Sequence, residues 1–390
     1  MTRILTAGTA LGALALAGLA ATAASAQQAP KPKVEAVYWL SAETVSGMAT
    51  GQPAGVEKNL LLQLGSTRRT AAPNAEHLPP QILGAGARLP LITPAGVEPK
   101  ADARADYRPG TADQPKGRIE LYWGCGETVA AGQPAVIDLS TMKAGGPSPF
   151  GTGPNVRAMA PPSTTSHATY GEWPNGRKGS RVPRNASLVG DHAVQGNYAP
   201  DMRFTVAPAN DFLAALAPRN AELASGAIKV SWPTLANARG FILTVTGARD
   251  DGTVVMWTSS AVRMPGMALP DYLEQSDIAR LVQQRILLPA EATECVVPSA
   301  VGKATDSAML MMTAFGPEAN YGAPREAPAG WAVKLRTRAT HMSMLGVDLA
   351  AMLAGGDDGE SDSDAPAGAA KPKKKRGLLR GIGSALGVPG

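Results

Sequence analysis

Arg118-Ile119-Glu120-Leu121-Tyr122-Trp123, followed by Gly124-Cys125-Gly126-Glu127-Thr128-Val129, decides the fold class of this chain. Ile119, Leu121 and Trp123 alternate with Arg118, Glu120 and Tyr122, the period-two pattern of a half-buried β-strand with Trp123 on its apolar face. Gly124 and Gly126 around Cys125 predict a bulge or a close backbone approach. Gly132-Gln133-Pro134-Ala135 then reads as a turn into a second strand.

The same signature occurs once before. Tyr38-Trp39 is followed by Glu43-Thr44-Val45 and by Gly51-Gln52-Pro53-Ala54, matching Tyr122-Trp123, Glu127-Thr128-Val129 and Gly132-Gln133-Pro134-Ala135 in order. The first copy carries three more residues ahead of its Gly-Gln-Pro-Ala. Val37 and Trp39 repeat the apolar alternation. Solenoid repeats recur every 20–50 residues; an offset of about 80 instead predicts two related β modules, or one β structure with pseudo-symmetric halves, built on a strand, a turn and a second strand used twice.

Farther along, Ile228-Lys229-Val230-Ser231-Trp232-Pro233 alternates and stops at proline. Phe241–Thr246 and Val254–Thr258 are strands flanking an Asp250-Asp251-Gly252 hairpin turn. Glu294–Val297, Met309–Phe315 and Trp331–Arg336 follow as further strands. The Val-Ser-Trp-Pro strand, the Ala238-Arg239-Gly240-Phe241 entry to the next, and Thr313-Ala314-Phe315-Gly316 with Tyr321-Gly322 resemble the fibronectin type III class of β-sandwich over residues 223–338. The resemblance implies a domain that binds or spaces rather than catalyses. Asp271 to Gln284 departs from that class: Leu273, Ile278, Leu281 and Val282 fall near one helical face and predict an inserted helix. Met202–Val206 reads as a strand, and Asp211–Leu216 as a helical turn capped by Asn210 or Asp211.

Between these regions, residues 143–184 are rich in Gly, Pro, Ser and Asn and predict a long connector that Tyr170 and Trp173 pin to the body. The chain is therefore expected to be mainly β: duplicated β modules at 27–115 and 116–215, the second with the long loop, then an immunoglobulin- or fibronectin-like sandwich at 220–345 with its short helix. Bulk composition agrees. With 390 residues, 44% hydrophobic, the chain can bury a sizeable core, and 43 Gly with 33 Pro spread along it favour short strands and turns.

The two ends point to place. Arg3, the apolar run Ile4–Leu19 and Ala24-Ser25-Ala26 have the charged start, apolar middle and small-residue cleavage site of a signal peptide (residues 1–26), which predicts a periplasmic or secreted mature chain. At the other end, residues 355–390 are expected to form a disordered tail, first acidic (Asp357, Asp358, Glu360, Asp362, Asp364), then basic. Lys373, Lys374, Lys375 and Arg376 precede Leu378, Leu379, Ile382 and Leu386 on one helical face. That pattern suits an anionic membrane surface or an envelope partner. The net charge of +5 is modest, and its acidic and basic clusters in the tail nearly cancel, so no nucleic-acid partner is expected.

Chemistry is sparse. His77, His167, His192 and His341 are scattered, and no zinc, calcium, phosphate-loop or serine-nucleophile motif is present, so no metal or cofactor is expected. Cys125 and Cys295 form an even pair that an oxidising compartment would bridge, or remain as two buried thiols. Glu43 with Glu127, and Cys125 with His192, are the candidate catalytic pairings. The leading expectation is an exported cell-envelope binding or structural protein without catalytic activity. The alternatives are an exported hydrolase with its site near His192 and Glu127, and a scaffold component of an envelope assembly.

Overall fold

A computed structural model describes residues 33–49, 52–94, 117–141, 153–157, 159–175, 180–264, 269–305 and 307–346. The predicted leader and the acidic and basic tail, with Lys373, Lys374, Lys375, Arg376, Leu378, Leu379, Ile382 and Leu386, lie outside the described residues. In chain order the first strands are β1 (Val34–Ala49), β2 (Gln52–Ser66), β3 (Ala75–Leu78), β4 (Leu89–Pro90), β5 (Arg118–Trp123), β6 (Ala135–Asp138), β7 (Thr169–Trp173), β8 (Ser180–Val182) and β9 (Gly190–Gly196). They are followed by β10 (Met202–Val206), β11 (Arg219–Glu222), β12 (Ile228–Ser231), β13 (Gly240–Ala248), β14 (Val254–Thr258), β15 (Leu288–Pro289), β16 (Glu294–Val297), β17 (Ser307–Gly322) and β18 (Gly330–Met344). Helices α1 (Gln275–Gln283) and α2 (Ser299–Lys303) are short. The protein is mainly β, and among the described residues no helix is long and apolar enough to cross a membrane.

One large sheet runs β6-β5-β14-β13-β17-β18-β1-β2-β7, with β15 beside β13 and β8 beside β2. Its first eight strands form a palindrome about the antiparallel β13–β17 pair. On each side an inner hairpin (β13–β14 or β17–β18) carries a repeat copy as an outer hairpin (β5–β6 or β1–β2). In both halves the Tyr-Trp strand pairs parallel with the second strand of the inner hairpin: β5 with β14, and β1 with β18. The repeated signature thus builds equivalent pieces at the two flanks. In the first copy pairing continues from Trp39 through Val45 and, past a register shift, on to Ala49 opposite Gln52. In the second, the hairpin opens after Trp123, where Gln133 pins the strand end by donating to the Trp123 carbonyl at 3.0 Å and accepting from its N–H at 2.9 Å.

Two small sheets cover one side of the large one. β10-β9-β3-β4 encloses a core with Tyr38, Leu40, Leu62, Leu64, Val194, Phe204, Val333 and Leu335. β11-β12-β16 encloses another with Val230, Trp232, Cys295, Val297, Phe241, Leu243, Trp257, Leu310 and Met312. Side-chain parity shows that both covers lie on the same side. In β18, Val333 and Leu335 enter the first core and Ala339 the second, all odd-numbered. In β17 the inward residues change from even (Leu310, Met312, Ala314) to odd (Ala319, Tyr321) across a bulge between Phe315 and Glu318. Pro317, which has no N–H for the ladder, sits in that bulge. The two cores are therefore continuous through β17 and β18, which run past the sequence-predicted limits at Phe315 and Arg336.

Two other expectations are corrected. Tyr38 and Tyr122, not Trp39 and Trp123, face the main cores in the two copies. The second strand is buried on both faces, with Ile119 and Leu121 in a satellite cluster on the opposite side beside Ile137 and Met256. Residues 211–216 do not form a helical turn. Asp211 accepts from the N–H groups of Leu188 (2.7 Å) and Phe212 (2.8 Å), and the Leu213 and Leu216 carbonyls accept from Thr44 and Ser46 of β1, each at 2.7 Å. Tertiary partners thus take the groups a helix would have paired internally. The inserted helix does form, as α1, and packs Ile278 and Leu281 with Leu273, Ile242 and Phe315 on the uncovered side of the large sheet.

Candidate functional site

The side of the large sheet opposite the two cores carries the chemistry. On β18, Lys334, Arg336, Arg338, Thr340 and Met342 project there, because alternate residues share a face. Trp39, Ser41, Glu43 and Val45 of β1 lie beside them in register: Trp39 opposite Lys334, Ser41 opposite Arg336 and Glu43 opposite Arg338. Residues 269–273 cross above these strands, anchored by Leu273 in the α1 cluster. Tyr272 comes down from this crossing, and its hydroxyl donates to the Ala42 carbonyl at 3.5 Å.

The result is a stacked ladder. The Arg336 guanidinium lies between two rings, 4.7 Å from the Trp39 centroid and 4.2 Å from that of Tyr272. Arg338 lies 5.0 Å from Tyr272, and Lys334 lies 5.6 Å from Trp39. A cation over a ring face contributes about 0.5–2 kcal/mol, more as water is excluded. This contact explains how Trp39 can be 7% exposed on the open side of a sheet. Burial pushes the Tyr272 phenol up to about 12, so it stays neutral and donates.

The cations are compensated unequally. Lys334 Nζ is 2.6 Å from Glu318. Arg338 is 3.0 Å from Glu43 and 2.6 Å from Asp271, and Thr340 donates to the same Glu43 carboxylate at 3.0 Å. Arg336 donates through Nε to Ser41 Oγ at 2.8 Å. Among the described residues it has no carboxylate within ion-pair distance.

Beyond Arg338 a cavity of about 310 Å³ opens between the sheet and Leu269-Pro270-Asp271. Met48, Met311, Met342, Ile242, Leu269 and Phe315 make most of its wall, and Glu43, Asp271 and Arg338 close one end. Methionine side chains adapt to occupants of different shape, and a mostly apolar concavity with a few convergent polar groups is the usual form of a small-molecule site.

The sequence-derived candidates are dispersed. Cys125 and Cys295 are joined as a disulfide, with sulfurs 2.13 Å and Cα atoms 5.3 Å apart, so Cys125 offers no thiol to His192. Glu43 belongs to the ladder, whereas Glu127 is an exposed loop residue whose carbonyl accepts from Ser299 N–H. Their repeat strands are five strand spacings apart across the sheet, about 24 Å, so the two carboxylates do not form a pair. Tyr170 and Trp173 lie in β7, where the Tyr170 hydroxyl donates to Glu172 at 2.6 Å and accepts from Gln63 at 3.0 Å.

His192 sits in the first core, stacked on Phe204 and away from the Cys125 and Glu127 that the sequence reading offered it as partners. Its Nε2 donates to the Leu188 carbonyl at 2.6 Å, which leaves Nδ1 to accept from His77 Nε2 at 3.1 Å. Among the described residues, His77 Nδ1 and the Tyr38 and Tyr198 hydroxyls have no hydrogen-bond partner. Burial pushes both imidazoles down, His77 well below the usual range with His192 as a second cause. Among the described residues no group of three His, Cys, Asp or Glu is placed to hold a metal ion.

Sequence reading missed Arg336, Arg338, Asp271 and Tyr272. Lys334-x-Arg336-x-Arg338 was the available signal: three cations at period two on one strand face. No family model matches the chain, and no curated protein sequence matches it.

Proposed function

We propose that the chain is an exported binding protein of the cell envelope, without catalytic activity, that holds an amphipathic ligand on the open side of its large sheet. The observation that carries this reading is the Met-lined cavity closed at one end by Glu43, Arg338 and Asp271. Its walls offer apolar contact and the carboxylates of its charged end are already paired with Arg338, an arrangement suited to gripping and orienting. The leader pattern at residues 1–26 and the Cys125–Cys295 bridge support an oxidising location outside the cytoplasm.

The fibronectin-like reading of the C-terminal half belongs to the same proposal. Setting aside two-residue β15, the strands from β11 onward are arranged with the first, second and fifth facing the fourth, third, sixth and seventh. This seven-strand, two-layer arrangement supports a binding module of that class, in which β17 and β18 also serve the first core.

The test uses the neutral apolar fluorophore N-phenyl-1-naphthylamine with the full mature chain. Saturable one-to-one enhancement is expected, weakened at least tenfold by Thr313→Phe, which fills the cavity from β17. Absence of saturable enhancement, or an unchanged Thr313→Phe titration, overturns the reading.

A further inference from the structure

Arg336 differs from its two neighbours. Lys334, Arg336 and Arg338 stand about 7 Å apart along one strand face, and each like charge raises the cost of its neighbour. Lys334 and Arg338 are relieved by carboxylates at 2.6–3.0 Å. Arg336 is half-buried between two rings with no such relief. A partly desolvated cation without a carboxylate at ion-pair distance is a net cost to the fold, which ring stacking and the longer-range attraction of Asp271 and Glu318 offset only in part.

The geometry of that side chain is restricted. Trp39 and Tyr272 fix the guanidinium plane from both sides, and the Nε–H···Ser41 Oγ bond at 2.8 Å fixes its rotation in that plane. Ser41 is itself buried. The terminal nitrogens Nη1 and Nη2 make no hydrogen bond to the described residues. A planar fork of N–H donors held this way matches two oxygens of a carboxylate or phosphate, and its ordering cost has been met before the ligand arrives.

We propose that Arg336 is a receptor for a single oxyanion, the acidic group of a ligand bound on this face. The inference rests on the open side of the sheet being a binding face and names the charge class it accepts. The aromatic rings flank the guanidinium and leave its terminal nitrogens open to a ligand, and the adjoining carboxylates Glu318, Glu43 and Asp271 are engaged by Lys334 and Arg338. An ammonium-headed ligand would meet Arg336 unfavourably. Lysine at this position would keep the charge and lose the two-pronged contact.

The test is titration of the full mature chain, labelled with nitrogen-15 at arginine, with acetate, methyl phosphate and neutral acetamide. Saturable shifts of the Arg336 side-chain nitrogens are expected with at least one oxyanion and not with acetamide, and shifts at Arg338 should be much smaller. The arm that binds more tightly distinguishes a carboxylate from a phosphate ligand. Arg336→Lys should weaken binding at least tenfold. Glu318→Gln, which frees Lys334, should strengthen it several-fold. Equal responses to acetate, methyl phosphate and acetamide overturn the proposal without any variant, and so does unchanged affinity in Arg336→Lys. Naphthylamine binding that survives such a failure leaves the cavity reading intact, whereas its loss with oxyanion shifts retained overturns the cavity reading alone.

Discussion

Acidification should destabilise this protein through its buried imidazoles, in a window that opens at higher pH than the one in which carboxylates titrate. His341 lies on β18 in the interior, 3.0 Å from Ser46 Oγ, and burial pushes it down to about 4 from 6.5. Its charged form is thus favoured in the unfolded chain, which takes up the proton first as pH falls. A depressed folded value means that the stabilisation is complete above about pH 6.5 and is lost as pH falls toward 4. At 1.36 kcal/mol per unit the full loss is about 3 kcal/mol, of which about 2.5 kcal/mol has gone by pH 4.5. His77 and His192 shift in the same direction and add to it. Asp138, Asp251 and Asp277 are also held below their usual value: Asp138 by Ser140, Asp251 by the Thr253 N–H and Asp277 by Arg280. Their contributions vanish only below about pH 3.8. Urea unfolding followed by tryptophan emission, repeated from about pH 7.5 to 4.5, measures the imidazole window. His341→Gln should flatten the profile by about 2.5 kcal/mol at pH 4.5, whatever its offset at neutral pH. A wild-type profile flat across that range, or an undiminished slope in His341→Gln, would refute the reasoning.

Two further outcomes are expected. Non-reducing peptide mapping should find Cys125 joined to Cys295, and reduction should lower the urea midpoint, since cross-linking residues 170 apart stabilises by up to about 5 kcal/mol in the chain-entropy account. Removing residues 371–390 should abolish co-sedimentation with anionic vesicles, because Lys373, Lys374, Lys375 and Arg376 supply the attraction and Leu378, Leu379, Ile382 and Leu386 the apolar contact; unchanged sedimentation would remove the proposed tether.

The strands were legible in the sequence wherever one periodicity had no competitor. Val254–Thr258 and Glu294–Val297 have the same limits in the structure as in the sequence reading. The orientation of the repeat strands was not legible, because Tyr and Trp are both aromatic and occupy opposite faces. Trp39 is hidden by Lys334 and Arg336, residues roughly 300 positions away whose stacking no local pattern reveals. β17 was read as stopping near Phe315 because Gly316-Pro317 is ordinarily a terminator, and it continues because a bulge absorbs the proline. The candidate site was least legible of all. Three alternating cations on a strand normally mark a solvated face, and only the tertiary crossing of Tyr272 makes them a ladder.

The nesting of the chain explains why the site lies where it does. The inner half, β5–β6 with β13–β14, is assembled from segments enclosed by the outer half, β1–β2 with β17–β18. Parallel pairing of β1 with β18 joins the described chain's first strand to its last, so the large sheet cannot close until β18 is available. Such non-local pairing incurs a loop-closure cost before any contact repays it. The open face carries several cross-strand contacts on this seam: Ser41 to Arg336, Glu43 to Arg338 and Trp39 under two cations. The groups that make the candidate site are thus the groups that lock the final strand, and Arg336, whose terminal nitrogens the lock leaves unused, is the member of that seam with donors left for a ligand.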